Sequence, residues 1–282
     1  MKKTSLLLTM LLSFSLLAGC QNLGVGSSSS TSNTSSSINL VTYKINVKAI
    51  NGKELRDVTV EVYKDNSLVK SFTTDYYGKV EATLEKGEYT VKLTNLPKGM
   101  YFEDSFTLKE NEENDLVCSA NLIEGDIPNN VSYNSGDLMH DFSFFNVENK
   151  KVKLSKVLEG KKGIILNFWG TTCIPCKEEF PLFQQLYNEY STDIEIVALS
   201  VEDSVNSVAN FKLDNEYTFT MGIDLMKSIF KSFSTYFGSP ASYSIPGTVF
   251  IDKYGFVNRI HKSSYPTYEL LQGDCLELIN KY

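Results

Sequence analysis

Two cysteines three positions apart, Cys173 and Cys176, are the residues of this 282-residue chain best placed to do chemistry. A pair at this spacing can close into a disulfide and reopen by thiol exchange. Unpaired N–H groups at a helix N-terminus favour the thiolate, which is the attacking form of cysteine. Cys173 is therefore expected to attack a substrate disulfide, and Cys176, one turn deeper, to resolve the mixed disulfide. Pro175 suits the first turn of such a helix.

A carboxylate accompanies the second cysteine in the predicted helix. Steps of three and four residues from Cys176 lead to Glu179 and then to Phe183, on an otherwise apolar stripe. Burial would raise the pKa of Glu179, so that this side chain could accept and donate protons during exchange. Glu178 points away and is expected in solvent. In the alternative, the helix is slightly rotated and Glu179 is a surface residue.

Other uses of cysteine fit the sequence less well. Structural zinc needs four ligands, and no second paired motif accompanies the remaining candidates, which are Cys118, Cys275, His140 and His261. We therefore predict no metal ion and no cofactor, and we expect His140 at the surface. A peroxiredoxin would carry a threonine three residues before its reactive cysteine, where this chain has Gly170. A disulfide between Cys118 and Cys275 would bridge two domains, so two unpaired buried thiols are expected.

The elements that must position the cysteine pair alternate in type along the C-terminal half. Hydrophobic periodicity predicts strands at residues 164–169, 194–201, 219–223, 248–252 and 256–260. It predicts helices at residues 176–190, 204–213, 225–237 and 267–280. Strands interleaved with helices predict an α/β domain with a central mixed sheet.

The preceding part of the chain has a period of two instead. Between residues 41 and 122, short alternating runs are separated by turn signals such as Asn51-Gly52 and Lys86-Gly87. This pattern predicts six or seven antiparallel strands in an all-β sandwich. The runs around these turns resemble the transthyretin-like domains of carboxypeptidase-regulatory and surface-adhesin families, which implies a spacer or contact module. Residues 123–135, rich in Pro, Gly and Asn, are predicted to be a linker to a redox domain at 136–282.

The N-terminus indicates export. Residues 1–19 contain Lys2-Lys3 and a short apolar run, and they are followed at once by Cys20, which predicts a secretory signal peptide. The pattern resembles a bacterial lipobox, which implies cleavage before Cys20 and lipidation of its sulfur; the alternative is a plain signal peptide with an incidental cysteine. Residues 20–40 are rich in Ser, Thr and Asn and would form a flexible tether. The net charge of −7 excludes nucleic acid as an expected partner.

Three motifs in fixed order carry a resemblance to a known family. They are Phe168-Trp169-x3-Cys173-x2-Cys176, then Pro181, then Ile245-Pro246-Gly247-Thr248 before a strand ending Ile251-Asp252. Together they resemble the thioredoxin fold, and residues 138–144 and 152–155 resemble the extension found in membrane-tethered reductases of the TlpA and ResA type. Cytosolic thioredoxins have a buried aspartate six residues before the first cysteine, where this chain has Asn167. This difference favours the tethered group.

The resemblance implies roles for further residues. It implies a cis bond between Ile245 and Pro246 that faces the disulfide and leaves the Ile245 backbone free to pair with an extended substrate, although a proline opening a strand is often only an edge residue. A glutamate three residues after the second cysteine has the proton role in these relatives, and Glu179 matches it. We expect Trp169 to shield the dithiol and to line the docking surface. The predicted substrate-binding residues are Trp169, Ile174, Pro175, Ile245 and Pro246.

These features predict a thiol:disulfide oxidoreductase held outside the cytoplasm by a lipid on Cys20. An oxidising exterior supplies no reductant, so electrons are expected from a membrane thiol-transport protein. The substrates would be disulfide-containing exported proteins, by resemblance apocytochrome c or methionine sulfoxide reductase. Two alternatives stay open: a non-catalytic adhesion or scaffold lipoprotein with a vestigial dithiol, and a net thiol oxidase.

Overall fold

A computed structural model of the chain describes residues 39–103, 105–239 and 242–281. The predicted signal peptide at 1–19, the lipidation site Cys20 and nearly all of the predicted tether lie outside the described residues. Within the described part, no helix is long and apolar enough to cross a membrane.

Alternation of apolar and polar residues builds the N-terminal strands. In the strand Lys79–Glu85, for example, every second side chain is buried and the others are exposed. The N-terminal strands are β1 (Leu40–Ala49), β2 (Thr59–Lys64), β3 (Ser67–Thr73), β4 (Lys79–Glu85), β5 (Thr90–Thr94), β6 (Met100–Tyr101), β7 (Phe106–Thr107) and β8 (Glu113–Ala120). They form two four-stranded sheets, in the orders β4-β1-β8-β6 and β3-β2-β5-β7. One hydrophobic cluster contains buried residues of both sheets.

Purely antiparallel pairing was the expectation for this region, and it is wrong for one pair. Strands β1 and β8 are parallel, with Lys44 opposite Glu113 and Ala49 opposite Cys118. The chain passes between the two sheets several times after β1, and its last crossing brings β8 in beside β1 with the same direction. A period of two identifies strands and their buried faces, but it does not fix their direction.

The C-terminal half is built around one seven-stranded mixed sheet, in the order β10-β9-β13-β12-β11-β16-β17. Its strands, with a short hairpin formed by β14 and β15, are β9 (Ser143–Asn146), β10 (Lys151–Lys153), β11 (Gly163–Trp169), β12 (Ile194–Ser200), β13 (Thr220–Ile223), β14 (Gly238–Ser239), β15 (Ser242–Tyr243), β16 (Gly247–Asp252) and β17 (Val257–His261). The helices are α1 (Leu154–Leu158), α2 (Ile174–Tyr190), α3 (Val205–Asp214), α4 (Ser228–Lys231), α5 (Ser234–Phe237) and α6 (Tyr268–Ile279). The predicted central mixed sheet is confirmed.

The central position of β11 explains its composition. This strand is parallel to β12 and antiparallel to β16, and all seven of its residues are buried. A strand covered on both faces has a nearly continuous apolar sequence, as here. Phe168 and Trp169 belong to different hydrophobic clusters, because successive side chains point to opposite faces. The cysteine pair follows directly from the end of this strand.

The predicted helix at 225–237 is wrong in detail, because two short helices occupy this stretch. The buried Asp224 carboxylate accepts the N–H groups of Ser228 and Phe230 at 3.0 and 2.8 Å, which starts α4 at Ser228. Lys227 has a left-handed backbone with φ of 52°, so no helix can run through it from residue 225. Leu225 consequently lies in an exposed turn instead of a helix.

The two halves of the described chain share buried contacts. Leu138 and Phe256, from the C-terminal half, form an isolated bridge and belong to the hydrophobic cluster of the N-terminal sheets. Gly255 has φ of +88°, and a Cβ there would lie 2.3 Å from Leu122 Cδ2. Residues 123–135, the predicted linker, include the buried side chain of Tyr133. The redox domain and the N-terminal sheets therefore pack directly against each other.

His140 is not at the surface, which corrects the sequence-based expectation. It is only 6% exposed, and its Nδ1 lies 2.5 Å from the Tyr133 hydroxyl, which also accepts the His140 backbone N–H at 3.0 Å. This local partner makes burial of the imidazole tolerable, and burial lowers its pKa. Cys118 and Cys275 are unpaired buried thiols in separate hydrophobic clusters, as expected.

Candidate active site

The end of β11 and the start of α2 position the cysteine pair. Cys173 is the N-cap residue of α2, and it forms a disulfide with Cys176, with 5.3 Å between their Cα atoms. The backbone N–H of Cys176 donates to Cys173 Sγ at 3.3 Å. The helix begins at Ile174, two residues before the predicted start, so that Cys173 Sγ lies at the positive end of the helix dipole. This arrangement favours a thiolate at Cys173 once the disulfide is reduced.

The two sulfurs differ in access. Cys173 is partly exposed, whereas Cys176 is fully buried within a hydrophobic cluster of the redox domain. Ile174 and Pro175, between them, are exposed at the protein surface. An incoming disulfide can therefore reach the first sulfur only, while the second sulfur stays within bonding range behind it. This order suits attack by Cys173 and resolution by Cys176.

A proline loop lies next to the outer sulfur. The Ile245–Pro246 bond is cis, as the resemblance predicted, and Ile245 O lies 3.6 Å from Cys173 Sγ. Pro246 is buried and Ile245 is partly exposed. A groove beside the disulfide is lined by Cys173, Ile245, Tyr243 and their neighbours. An extended peptide in this groove would have a backbone carbonyl to pair with, close to the reactive sulfur.

Glu179 lies inside the domain, as the helical phase predicted. It is 1% exposed; its Oε1 accepts from Asn167 Nδ2 at 3.0 Å, and its Oε2 accepts from the Tyr265 N–H at 3.0 Å. Burial raises the pKa of Glu179 to about 7, although both hydrogen bonds oppose the rise. Asn167 Nδ2 also donates to Thr248 Oγ1 at 3.1 Å. A carboxylate one helical turn from Cys176 is thus held near the midpoint of its titration at neutral pH.

Trp169 does not line the docking surface, and that expectation is wrong. Its side chain is fully buried, with ring centroids 4.8 Å from both Phe180 and Phe211. The indole and Cys176 belong to the same buried hydrophobic cluster. The alternation along β11 turns the indole to the face of the sheet opposite Phe168, and both faces are covered.

Polar residues from neighbouring segments complete the site, and the sequence prediction missed them. Asp203 accepts the Thr171 N–H at 2.8 Å and fixes the turn before Cys173. Glu202 accepts a hydroxyl from Thr172 at 3.1 Å and another from Tyr243 at 2.7 Å. Because β11 and β12 are parallel neighbours, their carboxyl ends meet at one edge of the sheet. That rule, applied to the residues after β12, could have identified the two carboxylates.

Known proteins resemble the C-terminal half of the chain. The model of the AhpC/TSA family matches residues 135–260. Thiol-disulfide oxidoreductase ResA of Bacillus cereus is 34% identical over 146 residues, which cover 50% of this chain and 79% of that protein. ResA of Bacillus subtilis is 33% identical over 130 residues, covering 46% and 68%. A crystal structure of a thioredoxin-family thiol:disulfide interchange protein from Chlorobium tepidum is 21% identical, covers 53% of this chain and 97% of its own, and has a TM-score of 0.43. The chain belongs to the ResA-like thiol-disulfide oxidoreductases, through a thioredoxin-like domain in its C-terminal half.

Proposed function

We propose that this enzyme reduces disulfides in exported proteins, with Cys173 as the attacking sulfur and Cys176 as the resolving sulfur. The observation that carries the proposal is the pair's geometry: a partly exposed sulfur at a helix N-terminus beside the Ile245 carbonyl, and a buried sulfur behind it. A thiol oxidase would need the same access to its substrate. The redox potential of the cysteine pair therefore decides whether the enzyme reduces or oxidises its substrates.

The reaction balances as two exchanges. The Cys173 thiolate attacks one sulfur of the substrate disulfide, that S–S bond breaks, and the first substrate thiolate leaves and takes up a proton. The Cys176 sulfur, after losing its proton, attacks Cys173 Sγ and releases the second substrate thiol. The substrate gains two electrons and two protons, and the chain is left with the Cys173–Cys176 disulfide. A membrane thiol-transport protein would return the dithiol by the reverse exchange.

Glu179 is proposed to take the proton from Cys176 during the second exchange. A carboxylate whose pKa is raised to about 7 is a stronger base than an ordinary glutamate, yet it is still partly ionised at neutral pH. Its hydrogen bonds to Asn167 and to the Tyr265 backbone hold it in one orientation. The same group can return the proton when the disulfide is reduced again.

The proposed location follows from the sequence at the N-terminus. A signal peptide at 1–19, a lipid on Cys20 and a tether up to about residue 40 would hold the enzyme outside the cytoplasmic membrane. We propose that the two N-terminal sheets form a β-sandwich that serves as a spacer. The buried contacts between these sheets and the redox domain support this role, because the sheets and the active site would then move together at the end of the tether. Apocytochrome c and methionine sulfoxide reductase are the candidate substrates.

Insulin reduction tests the proposal. The wild-type protein with dithiothreitol should accelerate precipitation of insulin chains, and Cys173→Ser and Cys176→Ser should each reduce the rate to that of dithiothreitol alone. Cys275→Ser is the matched control, because it removes a buried thiol outside the pair and should keep the activity. Wild-type activity no higher than that of the two active-site variants would favour the scaffold alternative. A redox potential of about −120 mV, typical of a strong oxidant, would instead favour the oxidase.

A further inference from the structure

We propose that Glu202 makes this enzyme selective for substrate disulfides that carry a lysine or arginine two residues from the reacting cysteine. The proposal rests on the proposed function and names the class of peptide that the groove beside Cys173 accepts. The selecting group is a surface carboxylate that the sheet edge holds at one side of this groove.

Glu202 is positioned by hydroxyl groups on two sides of the groove. Its Oε2 accepts from Thr172 Oγ1 at 3.1 Å, next to the cysteine pair, and its Oε1 accepts from Tyr243 OH at 2.7 Å, on the opposite wall. Both partners are neutral, and no ion pair involves Glu202 among the residues that the structure describes. A carboxylate has about four lone-pair sites. Two neutral donors therefore leave its charge and part of its accepting capacity for a bound cation.

Lys227, which lies beside Tyr243, does not take this place. Lys227 Nζ lies 4.6 Å from the centre of the Tyr243 ring and 3.2 Å from its hydroxyl, so it contacts the tyrosine and not the carboxylate. It lines a neighbouring depression with Glu202 and Asp224, while Tyr243 and Glu202 line the groove. The Tyr243 hydroxyl thus lies between the two charged groups, accepting from the ammonium and donating to the carboxylate, and Glu202 faces the groove as well as the depression.

Gly170 leaves room for this position of the carboxylate. A Cβ at this glycine would lie 2.4 Å from Glu202 Oε2. The backbone of Gly170 is not left-handed, so its conformation does not require glycine. The missing side chain therefore allows the close approach of Glu202 to the turn before Cys173. Any larger residue would push the carboxylate away from the groove.

The position of Glu202 relative to Cys173 Sγ indicates how far from its cysteine a substrate would carry the lysine or arginine. Ile245 O lies 3.6 Å from Cys173 Sγ, and Tyr243 lies two residues before Ile245. In an extended chain, two residues span about 6.6 Å, and side chains two positions apart point to the same side. A peptide paired with this segment, its cysteine facing Cys173, would place the side chain two positions away beside Tyr243 and Glu202. The exposed Ile174 lines the same groove and offers an apolar contact.

Peptide kinetics test the selectivity. The probes are synthetic decapeptides with one cysteine, blocked as its mixed disulfide with 2-mercaptoethanol, and with Lys, Gln or Glu two residues before or after that cysteine. The readout is the ratio of second-order rate constants for Lys and Gln peptides with the reduced protein. For one of the two positions, the wild-type ratio should be about two- to fivefold at low ionic strength, as expected for an exposed ion pair, and should approach one in about 0.5 M salt.

Three variants and a control make the result specific. Glu202→Gln should bring the ratio to one, Glu202→Lys should favour the Glu peptide, and Gly170→Ala should lower the ratio without changing the net charge. Glu178→Gln is the matched control, because it removes one exposed acidic charge from α2 outside the groove and should keep the wild-type ratio. A ratio near one in wild type at both positions, or an equal loss in the control, would overturn the selectivity. Failure to reduce any peptide would instead overturn the proposed function.

Discussion

Replacing Glu179 by glutamine should change how the stability of the protein depends on pH. Burial raises the pKa of this carboxyl from 4.5 to about 7. Between these values the folded protein holds a proton that the unfolded chain has released, so the free energy of unfolding falls as the pH rises. At about 1.4 kcal/mol for each tenfold change in proton affinity, the loss is about 3 kcal/mol between pH 4 and pH 8. Glutamine is neutral throughout, so the variant lacks this loss.

The surrounding residues can accept the substitution. Asn167 Oδ1 is buried without a hydrogen-bond partner in the described part of the chain. Rotating the Asn167 amide by half a turn would let this oxygen accept from the new glutamine NH2 group. Thr248 Oγ1 could then donate to the same amide oxygen instead of accepting from Nδ2. The variant is therefore expected to fold, with a pH-independent cost of about 1 kcal/mol or less from altered hydrogen bonds.

Urea unfolding of the oxidised proteins from pH 4 to pH 8 measures the effect. Trp169 is the only tryptophan of the chain and is fully buried in the redox domain, so its emission reports on this domain. The difference in unfolding free energy, Glu179→Gln minus wild type, should rise by about 3 kcal/mol across this range. Glu178→Gln, an exposed neighbour, should show no such rise. A difference for Glu179→Gln that stays constant within about 0.5 kcal/mol would refute the buried-proton account.

Three further predictions concern the fold. Burial lowers the pKa of His140 below 6.5, so wild type should lose stability as the pH falls through this value, whereas the melting temperature of His140→Phe should depend less on pH there. Gly255→Ala should reduce the urea-unfolding free energy by about 1–3 kcal/mol more than Gly125→Ala, since both glycines have positive φ but only Gly255 meets a side chain. Burial raises the pKa values of Cys118 and Cys275 to about 11 and about 12; mass spectrometry should therefore find iodoacetamide on them only after unfolding.

Local rules predicted the centre of the site correctly. The run that becomes β11 is apolar because both faces of the strand are covered, and the helix starts where Pro175 and the cysteines allow it. The three-residue step from Cys176 to Glu179 is a property of one helix, so the burial of the carboxylate could be predicted without knowing the fold. The cis Ile245–Pro246 bond came from the resemblance, since X-Pro bonds are mostly trans.

The errors came where contacts outside a single helix or strand decide the outcome. In a strand buried on both faces, alternation does not tell which neighbour is nearer solvent, so the inward direction of Trp169 could not be predicted. His140 is buried because Tyr133, seven residues earlier, meets its ring. Glu202 and Tyr243 are far apart in sequence, and only the arrangement of the sheet brings them to one groove.

Trapping the mixed disulfide tests the central claim most directly. Reduced Cys176→Ser, mixed with an excess of a peptide disulfide and quenched in acid, should give a one-to-one adduct whose bond maps by mass spectrometry to Cys173. The Cys173→Ser variant should give far less adduct, because the Cys176 sulfur that it retains is fully buried. An adduct that forms mainly on Cys176, or no adduct on Cys173, would contradict the proposed order of attack and resolution.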